Sequence, residues 1–356
     1  MAEILYIDFE TRSACDLKKA GSYVYASHPT TEVMCLGYAF DDSEVEVWVP
    51  LQSKFEPELL RHVHNGGLVV GHNIGGFEIP VWNECLTKRF GFPPLAIHQC
   101  RDTMAQAYAM GLPGSLDGAA SAMGIEKQKD LAGHRVMLQL SQPKEICGVT
   151  GKILWWNDVA KFEKLIQYCA QDVTVERALY QRLPSLSREE EQLWRLDHKI
   201  NSRGIEIDVN AAKKTIKLVE YEQARLDAEM REVTLNAVAT CTAAGQLTDW
   251  LRWMGVETEG VAKSAVGLLL SDPSIPSKVR RALELRQEAA KSSTAKLNAM
   301  VQSSGADNRV RGTLQYHGAA TGRWAGRKLQ VQNLPRPSIS NNEIEEVLNL
   351  IGGLDA

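Results

Sequence analysis

Carboxylates occur as a pair near the start of this chain, and paired carboxylates can hold a metal ion. Asp8 and Glu10 stand at the end of a predicted strand, Ile4–Asp8. Residues two apart in a strand point to the same face, so we expect these side chains to lie side by side. Two carboxylates repel each other unless a cation lies between them, and a divalent metal meets that need. Taken alone, such a pair is more often two exposed acids.

A second set of polar groups lies on a long predicted helix, Asp158–Arg182. Tyr168 and Asp172 are one helical turn apart, so they share a face of that helix. The face is otherwise apolar, and an aspartate there is costly to bury without a partner. A solvated acid is the alternative interpretation of this pair when it is taken alone.

Between these motifs, a run from Gly71 to Glu78 follows a predicted strand and opens a predicted helix. Asn73 is a candidate cap for that helix. Glu78 would lie in its first turn or two, near the positive end of the helix dipole. The simpler interpretation is an ordinary cap, with Phe77 as a core residue.

Taken in order, the three motifs supply four carboxylates and a phenol. This set suits two-metal phosphodiester hydrolysis, in which two cations about 3.5–4 Å apart hold the attacking and leaving oxygens. Hard oxygen ligands favour Mg²⁺ or Mn²⁺ over zinc. The sequence therefore predicts a two-metal site that uses one of these cations.

The elements that must position these residues are typical of an α/β region followed by helices. The first part alternates β-rich runs with helical patterns, and a helical composition begins after Pro184. After Gly305 the chain becomes irregular and rich in Gly, Arg and Gln. The predicted strands are 4–8, 33–40, 45–49 and 68–71, and the predicted helices are 56–64, 76–89, 102–110, 116–123, 158–182, 216–233, 246–253, 264–270 and 277–301.

The three motifs resemble those of the DEDD exonuclease superfamily, tyrosine subtype, and the resemblance covers about residues 1–182. It implies an RNase H-like fold, a mixed sheet with helices, and 3′→5′ exonuclease activity on DNA. Asp8, Glu10 and Asp172 would then bind the metals, and Tyr168 would orient the attacking water. Asn73 and Phe77 are assigned to binding the single-stranded 3′ end.

Glu78 departs from the family pattern, in which the second motif normally ends in Asp. Its side chain is one methylene longer, so it would reach a metal with a different geometry. We include Glu78 among the expected catalytic residues. Position 167 is Gln, so the histidine subtype is not supported.

A basic segment lies toward the C-terminal end of the sequence. Residues 277–328 carry 11 basic and 3 acidic groups, whereas the whole chain has a net charge of −4. Basic side chains neutralise phosphates, although a solvated helix face is an equal alternative from charge alone. Thr321-Gly-Arg323 and the Gln332-Asn333-Leu-Pro335 run resemble the first conserved motif of phage-type family-A DNA polymerases, at the entry to the palm, and the preceding helices resemble the thumb of that family. The residues assigned to primer-template binding are Arg323, Arg327, Lys328, Gln332 and Asn333.

The resemblance implies three regions: an exonuclease domain at 1–184, a helical thumb-like region at 185–308 and the start of a palm at 309–356. The later palm acids and the fingers helix of a full polymerase are not in this sequence, so we expect polymerase activity only with a further part present. The chain is either a truncated piece or half of a split enzyme. The alternative function is a catalytically weak primer-template-binding module that complements a separate palm–fingers part.

Composition favours a globular protein that acts in the cytoplasm. Hydrophobic residues make up 44% and charged residues 24% of the 356 residues, which are ordinary globular values. No apolar run is long enough to span a bilayer, and no signal peptide is visible. The cysteines form no CxxC pair, so we expect reduced thiols rather than disulfides or a zinc ribbon. They are Cys15, Cys35, Cys85, Cys100, Cys147, Cys169 and Cys241.

Overall fold

The computed structural model describes residues 3–50, 52, 57–125, 131–290, 295–334 and 339–353. The chain forms two compact units, each discontinuous in sequence. Unit 1 comprises residues 1–207 and 302–335, and unit 2 comprises residues 208–301 and 336–356. The three-region division at residues 184 and 308 stays a prediction about the family's domains. In the structure, the segment 302–335 packs with residues 1–207 as part of unit 1.

Unit 1 is built on a mixed five-stranded sheet in the order β3-β2-β1-β4-β5. The central strand β1 is antiparallel to β2 and parallel to β4, and β5 continues the parallel side. This sheet, with its surrounding helices, confirms the predicted α/β fold. The strands are β1 (Ile4–Arg12), β2 (Glu32–Phe40), β3 (Glu46–Trp48), β4 (Leu68–Gly71) and β5 (Cys100–Asp102).

Ten helices of the described residues precede unit 2. The second half of the sheet alternates with them, as the β4–α4 and β5–α6 connections show. α4 runs through a π-helical stretch, Trp82–Thr87, into α5 without a break. The helices are α1 (Leu17–Ala20), α2 (Ser22–Ser27), α3 (Pro57–His64), α4 (Glu78–Val81), α5 (Lys88–Phe90), α6 (Thr103–Ala109), α7 (Leu116–Ala122), α8 (Leu131–Leu140), α9 (Val159–Arg182) and α10 (Arg188–Arg203).

Short strands complete the chain's β-structure. One pair joins two distant parts of unit 1, because β8 is antiparallel to β9 although unit 2 residues lie between them in sequence. A single 3₁₀ turn, Val331–Asn333, follows the last strand. The short strands are β6 (Glu145–Ile146), β7 (Ile153–Leu154), β8 (Ile205–Glu206), β9 (Arg309–Val310), β10 (Leu314–Gln315) and β11 (Ala325–Gly326).

Unit 2 is helical, which confirms the predicted helical region after the α/β part. Its core contains Met230, Leu247, Leu251 and Leu283, all with no exposed surface. Such burial of several large side chains stabilises the helix packing, since each contributes about 1.5–3 kcal/mol. The helices are α11 (Val209–Val233), α12 (Ala244–Trp253), α13 (Lys263–Ser271), α14 (Ser277–Ala289), α15 (Ala295–Ser303) and α16 (Asn341–Gly353).

The two faces of β1 bury different groups. Leu5, Ile7 and Phe9 belong to the main hydrophobic core. Tyr6 points to the opposite face and clusters with Val173 of α9. Because side chains alternate along a strand, Asp8 and Glu10 also lie on the α9 face. The alternation thus places both carboxylates toward the helix that carries Tyr168 and Asp172.

Several element boundaries differ from the predictions. β1 continues to Arg12, so Asp8 and Glu10 lie inside the strand rather than at its end. The predicted helix 277–301 is observed as α14, which ends at Ala289, and α15, which begins at Ala295. Helices α1, α2 and α8 were not predicted, because they are short or lack a strong apolar period.

The segment 302–335 packs on α10 within unit 1. The side chain of Asn201 both donates to the carbonyl of Leu314 (3.0 Å) and accepts from its N–H (2.9 Å). The hydroxyl of Tyr316 donates to Glu190 of the same helix. Tyr316 and Trp194 are both buried in the main core of unit 1. Both sequence segments of unit 1, 1–207 and 302–335, therefore contribute residues to its core.

Candidate metal centre

Three carboxylates converge between β1 and α9. One oxygen each from Asp8, Glu10 and Asp172 lies within 4.8 Å of the others. Glu10 is buried, with 7% of its surface exposed, and the other two are half-buried. The two strand residues come from one face of β1, and α9 packs against β1 and β2 to bring Asp172 to them. The structure thus brings together the three residues expected to bind the metals.

Electrostatics in this cluster favours a bound cation. Burial raises the pKa of Glu10 well above its usual range, and the neighbouring carboxylate of Asp8 raises it further. Clustered negative charges that are shielded from water repel each other strongly, and a divalent cation removes that repulsion. Three close carboxylate groups also match the oxygen ligands of Mg²⁺ and Mn²⁺. The donor set therefore fits a divalent metal.

Tyr168 lies beside the cluster on α9. Its hydroxyl is hydrogen-bonded to Asp172, one turn away. Burial raises the pKa of Tyr168, and the Asp172 carboxylate raises it further, so the phenol stays protonated at neutral pH. Because its single O–H donates to Asp172, the phenol can meet a water held beside the carboxylates as a hydrogen-bond acceptor.

The α9 helix begins and packs in ways that fix these side chains. Asp158 caps it, because its side chain accepts from the N–H of Lys161 (3.1 Å). Cys169, between the two functional residues, lies with its sulfur 3.7 Å from Oδ2 of Asp8. The helix is therefore anchored at its start and seated directly on the strand that carries the other carboxylates.

Gly37 allows α9 to approach the sheet, and it pairs with Asp8 across β1 and β2. A Cβ atom at Gly37 would lie 3.0 Å from Cγ2 of Val173 and 3.3 Å from the carbonyl oxygen of Cys169. We expect Gly37→Ala to lower the free energy of unfolding by about 1–3 kcal/mol through overpacking. Urea unfolding of the purified chain measures this.

Gly148→Ala is the matched control for Gly37→Ala. A Cβ atom at Gly148 meets nothing within 4 Å, so the same substitution there adds no contact. We expect the control to unfold like the wild type. Equal urea midpoints for the wild type and Gly37→Ala would show that α9 is not seated on Gly37.

The loop from Asn73 to Phe77 carries the second motif. Its N–H groups at Gly76 and Phe77 donate to the carbonyl of Asn73 (2.8 and 3.0 Å), and Asn73 has a left-handed φ of 69°. Asn73 does not cap α4, because that helix begins only at Glu78. Instead the Asn73 N–H donates to Asp102 (2.9 Å), which ties the loop to β5.

Phe77 and Glu78 occupy different surroundings at the end of this loop. The Phe77 ring packs against Tyr25, with 6.3 Å between ring centroids, on the edge of the main core. Glu78 is buried, with 3% of its surface exposed. Burial raises the pKa of Glu78 well above its usual range, and the Asp8 carboxylate raises it further. Glu78 therefore lies near the metal cluster rather than at a solvated helix start.

Sequence reasoning missed Glu176, a buried carboxylate of α9. It is 1% exposed, and burial together with Asp8 and Glu78 raises its pKa. The signal was present, because Tyr168, Asp172 and Glu176 form one row at four-residue spacing along the helix. A second missed carboxylate is Asp102, which caps α6 and has a pKa raised by burial to about 6.

Most residues assigned to primer-template binding are exposed in the segment 302–335. Asn333 donates from its side chain to Gln330 (3.0 Å), and Gln332 lies over Gly326. The exposed side chains of this set are Arg323, Arg327, Gln332 and Asn333.

Lys328 differs from the rest of this set. It is half-buried, and its ammonium donates to the carbonyls of Arg311 (2.9 Å) and Ala20 (3.4 Å). Burial lowers the pKa of Lys328 to about 8. A phosphate contact by Lys328 would require these hydrogen bonds to break.

All seven cysteines are free. In the part of the chain that the structure describes, no helix has both the length and the apolar character needed to cross a bilayer.

Comparisons with known proteins agree with this architecture. Residues 5–184 match the RNase H superfamily. A DNA polymerase of Bacillus phage SP02 is 38% identical over 356 residues, which is 98% of this chain and 53% of the phage protein. The chain therefore spans about half the length of that relative.

A solved structure also has the same fold. The POL domain of Pol1 from M. smegmatis, in complex with DNA primer-template and dNTP, aligns with a TM-score of 0.54 over 95% of this chain and 53% of that chain. Its sequence identity is 16%. Taken together, the three comparisons confirm the resemblance to the N-terminal part of a phage-type family-A polymerase. Because residues 5–184 match the model of this family, the chain belongs to the RNase H superfamily.

Proposed function

We propose that this chain is a metal-dependent 3′→5′ DNA exonuclease that forms the proofreading half of a family-A DNA polymerase. The observation that carries the proposal is the convergence of Asp8, Glu10 and Asp172 within 4.8 Å, with Tyr168 hydrogen-bonded beside them. Negative charge develops on the phosphate oxygens during phosphodiester hydrolysis. Divalent cations stabilise that charge, and a set of carboxylates such as this one can hold the cations in place.

Each residue has a defined task in this proposal. Asp8, Glu10 and Asp172 hold Mg²⁺ or Mn²⁺ through their carboxylate oxygens. When bound, the cations supply stabilisation of charge on the scissile phosphate and a lowered pKa for water. Tyr168 orients the attacking water as an acceptor, because its single O–H donates to Asp172 and its oxygen stays able to accept a hydrogen bond from the water. Glu78, on the adjoining loop, adds a fourth carboxylate to the cation site.

The substrate is proposed to be the single-stranded 3′ end of DNA. Asn73 and Phe77 lie on the loop that leads to Glu78, so they stand next to the proposed point of cleavage. The Asn73 amide can hydrogen-bond to a base edge or a phosphate. Phe77 offers an aromatic ring at the core edge against which a terminal base can stack.

The direct test is digestion of a single-stranded oligonucleotide labelled at its 5′ end. With Mg²⁺ or Mn²⁺, we expect a ladder of products shortened from the 3′ end, and with EDTA we expect intact substrate. A 3′-phosphorothioate oligonucleotide serves as the control for polarity, because it slows removal of the first nucleotide only if cleavage starts there. Shortening from the 5′ end would contradict the proposal.

We propose that primer-template DNA binds to the segment 302–335, in which Arg323 and Arg327 are exposed. Phosphate contacts release counterions from DNA, so the affinity should fall as the salt concentration rises. The steepness of log affinity against log salt concentration should decrease by about 1 for each phosphate contact removed. We expect Arg323→Ala to lower the slope of log affinity against log salt by about 1. Fluorescence anisotropy of a labelled primer-template at several salt concentrations measures it.

Lys328→Ala is the comparison for Arg323→Ala, because its ammonium is engaged with two carbonyl oxygens. We expect a smaller change of slope for this variant. Single-strand cleavage should be nearly unchanged in Arg323→Ala, since the residue lies outside the metal site. Equal losses of primer-template binding and single-strand cleavage would contradict this division of labour.

The second candidate function is a catalytically weak module that holds primer-template for a separate palm–fingers part. The exposed Arg323 and Arg327 favour it, as does the longer Glu78 in the metal site. It becomes the better account if the wild type binds primer-template but cleaves no strand with either cation. In both accounts the partners are DNA and the remaining polymerase part, and the proposed place of action is the cytoplasm.

A further inference from the structure

A cavity of about 300 Å³ lies within unit 1. Its wall is formed by the loop from Asn73 to Phe77, by helices α2, α6 and α10, and by the segment 302–335. The described residues that line it do not include the three carboxylates of the metal centre. Its volume is at the lower end of the range for small-molecule sites. The cavity is therefore large enough for a ligand and distinct from the cluster that the proposed reaction uses.

Hydrogen bonds inside the protein hold several parts of this wall together. Nδ1 of His198 on α10 donates to the carbonyl of Gly75 in the loop (3.1 Å). The side chain of Asn201, also on α10, donates to Oδ2 of Asp197 (2.9 Å) and to the carbonyl of Leu314 in the segment 302–335 (3.0 Å). The loop, α10 and this segment are thus fixed around one space.

Two oxygens of the wall have no hydrogen-bond partner among the described residues. They are Oδ1 of Asp197 and the hydroxyl oxygen of Tyr23. Asp197 is buried, with 8% of its surface exposed. Buried polar atoms are almost always paired, so an unpaired oxygen at a cavity wall indicates a bound group that satisfies it. Burial raises the pKa of Asp197 to about 6, so above that pH its carboxylate is ionised and accepts hydrogen bonds only. A ligand must therefore present a hydrogen-bond donor to Asp197.

Aromatic side chains and a cation complete the lining of the cavity. Aromatic walls with a few polar groups suit a planar heteroaromatic ligand. Arg327 also lines the cavity and is exposed, so a phosphate attached to such a ligand can pair with its guanidinium. Among planar ligands, the bases adenine, cytosine and guanine carry an exocyclic amino group that donates hydrogen bonds, and thymine lacks one. The aromatic residues of the lining are Tyr23, Tyr108, Trp194 and Tyr316.

We propose that this cavity binds a nucleobase that carries an amino group, and that the amino group donates to Oδ1 of Asp197. The base is bounded by the aromatic side chains, the hydroxyl of Tyr23 pairs with a second polar atom of the base, and Arg327 meets the phosphate. The base comes either from a free nucleotide or from an unpaired position of a DNA strand. The inference goes beyond the proposed function, because binding here requires neither a metal nor cleavage.

Isothermal titration calorimetry of the full chain with free nucleotides is the first test. The probes are dAMP, dCMP and dGMP, and each is compared with the analogue in which hydrogen replaces the amino group. EDTA in the buffer keeps metal ions from holding the phosphate at the triad. We expect at least one amino nucleotide to bind at least about fivefold more tightly than its analogue, because the analogue leaves the charged Asp197 oxygen unpaired.

A strand supplies the same chemistry, so the second arm of the test uses short single-stranded oligonucleotides in EDTA. Each carries one of the three amino-bearing bases, or its analogue, at the 3′ end. A preference for the amino group with free nucleotides alone would assign the cavity to free nucleotides. A preference in oligonucleotides alone would assign it to a base of the strand. The lack of any such preference in both arms would overturn the proposal.

Asp197→Asn locates the preference within the cavity. Asparagine keeps the shape of the side chain and an acceptor for Asn201, but it presents an amino group in place of Oδ1. We expect the amino nucleotide and its analogue to bind this variant with affinities within about twofold of each other, since the charged acceptor is lost. Glu189→Gln is the matched control, because Glu189 is an exposed acid on the same helix, and it should keep the wild-type preference.

Tyr23→Phe gives an independent reading if Asp197→Asn does not fold. It removes the other unpaired oxygen, so we expect it to weaken binding of the amino nucleotide. A folded Asp197→Asn chain that keeps the wild-type preference, or a folded Tyr23→Phe chain that keeps the wild-type affinity, would overturn the assignment. A wild type that shows the preference but cleaves no DNA would contradict the proposed function alone.

Discussion

Asp8→Asn is expected to abolish 3′-end cleavage, with a loss of at least about a thousandfold in single-turnover rate, which is about 4 kcal/mol of barrier. Asp8 belongs to the triad and is also the electrostatic neighbour of Glu78 and Glu176. Its loss therefore removes one of the three carboxylates that the triad offers to a cation. Quench-flow measurement with labelled single-stranded DNA in excess Mg²⁺ gives the rate.

The fold should survive this change, because a neutral amide relieves repulsion among the buried carboxylates. Circular dichroism and the urea midpoint check that the Asp8→Asn chain is folded. Asp16→Asn is a control on a neighbouring exposed acid, and it should cleave at the wild-type rate. A folded Asp8→Asn chain that cuts within tenfold of the wild type would mean that cleavage does not depend on this metal centre.

Glu78→Ala is expected to slow cleavage at least about tenfold, or about 1.4 kcal/mol of barrier, and Glu78→Asp is expected to retain activity. Glu78 is buried, the Asp8 carboxylate acts on it electrostatically, and one of its oxygens has no hydrogen-bond partner among the described residues. Removal of such a carboxylate should slow the reaction yet stabilise the metal-free fold, as is common for functional charges. Single-turnover rates and melting temperatures in EDTA measure the two effects.

The combination of effects separates function from structure at this position. If Glu78 only complemented the start of α4, Ala would cost less than about 1 kcal/mol of stability and leave the rate nearly unchanged. A Glu78→Ala chain with the wild-type rate would remove the residue from the site. A slower rate together with a higher melting temperature would support its role as a metal-site carboxylate.

Local patterns predicted α9 and four of the five strands of the sheet, because alternation and helical spacing report directly on which face is buried, whereas the three-residue β5 was not predicted. The end of β1 was placed too early, since Asp8 and Glu10 interrupt the apolar pattern although the strand continues beyond them. Two carboxylates of the candidate metal centre lie inside this strand, so the boundary error coincides with the candidate site. The expected cap at Asn73 was wrong because the loop first makes a turn, and the helix begins later.

Other features depend on contacts between residues far apart in sequence and could not be predicted from local pattern. The four-residue spacing shows that Glu176 shares a helix face with Tyr168 and Asp172, but only the packing of α9 on the sheet shows that Glu176 is buried. The burial of Lys328 depends on carbonyl oxygens contributed by Ala20 and Arg311. The sequence pattern shows that Lys328 belongs to a basic segment. It cannot predict which backbone carbonyls accept hydrogen bonds from the ammonium group of Lys328.

The discontinuity of unit 1 determines the order in which the chain can fold during synthesis. Trp194 is made before residues 208–301, and Tyr316, which shares its core, is made after them. At about 5–20 residues per second, the ribosome needs several seconds or more to supply the second part. Until then the site for Tyr316 against α10 stays open, and Glu190 and Asn201 lack the partners described above. Unit 1 would therefore reach its final packing only once the segment 302–335 has left the ribosome.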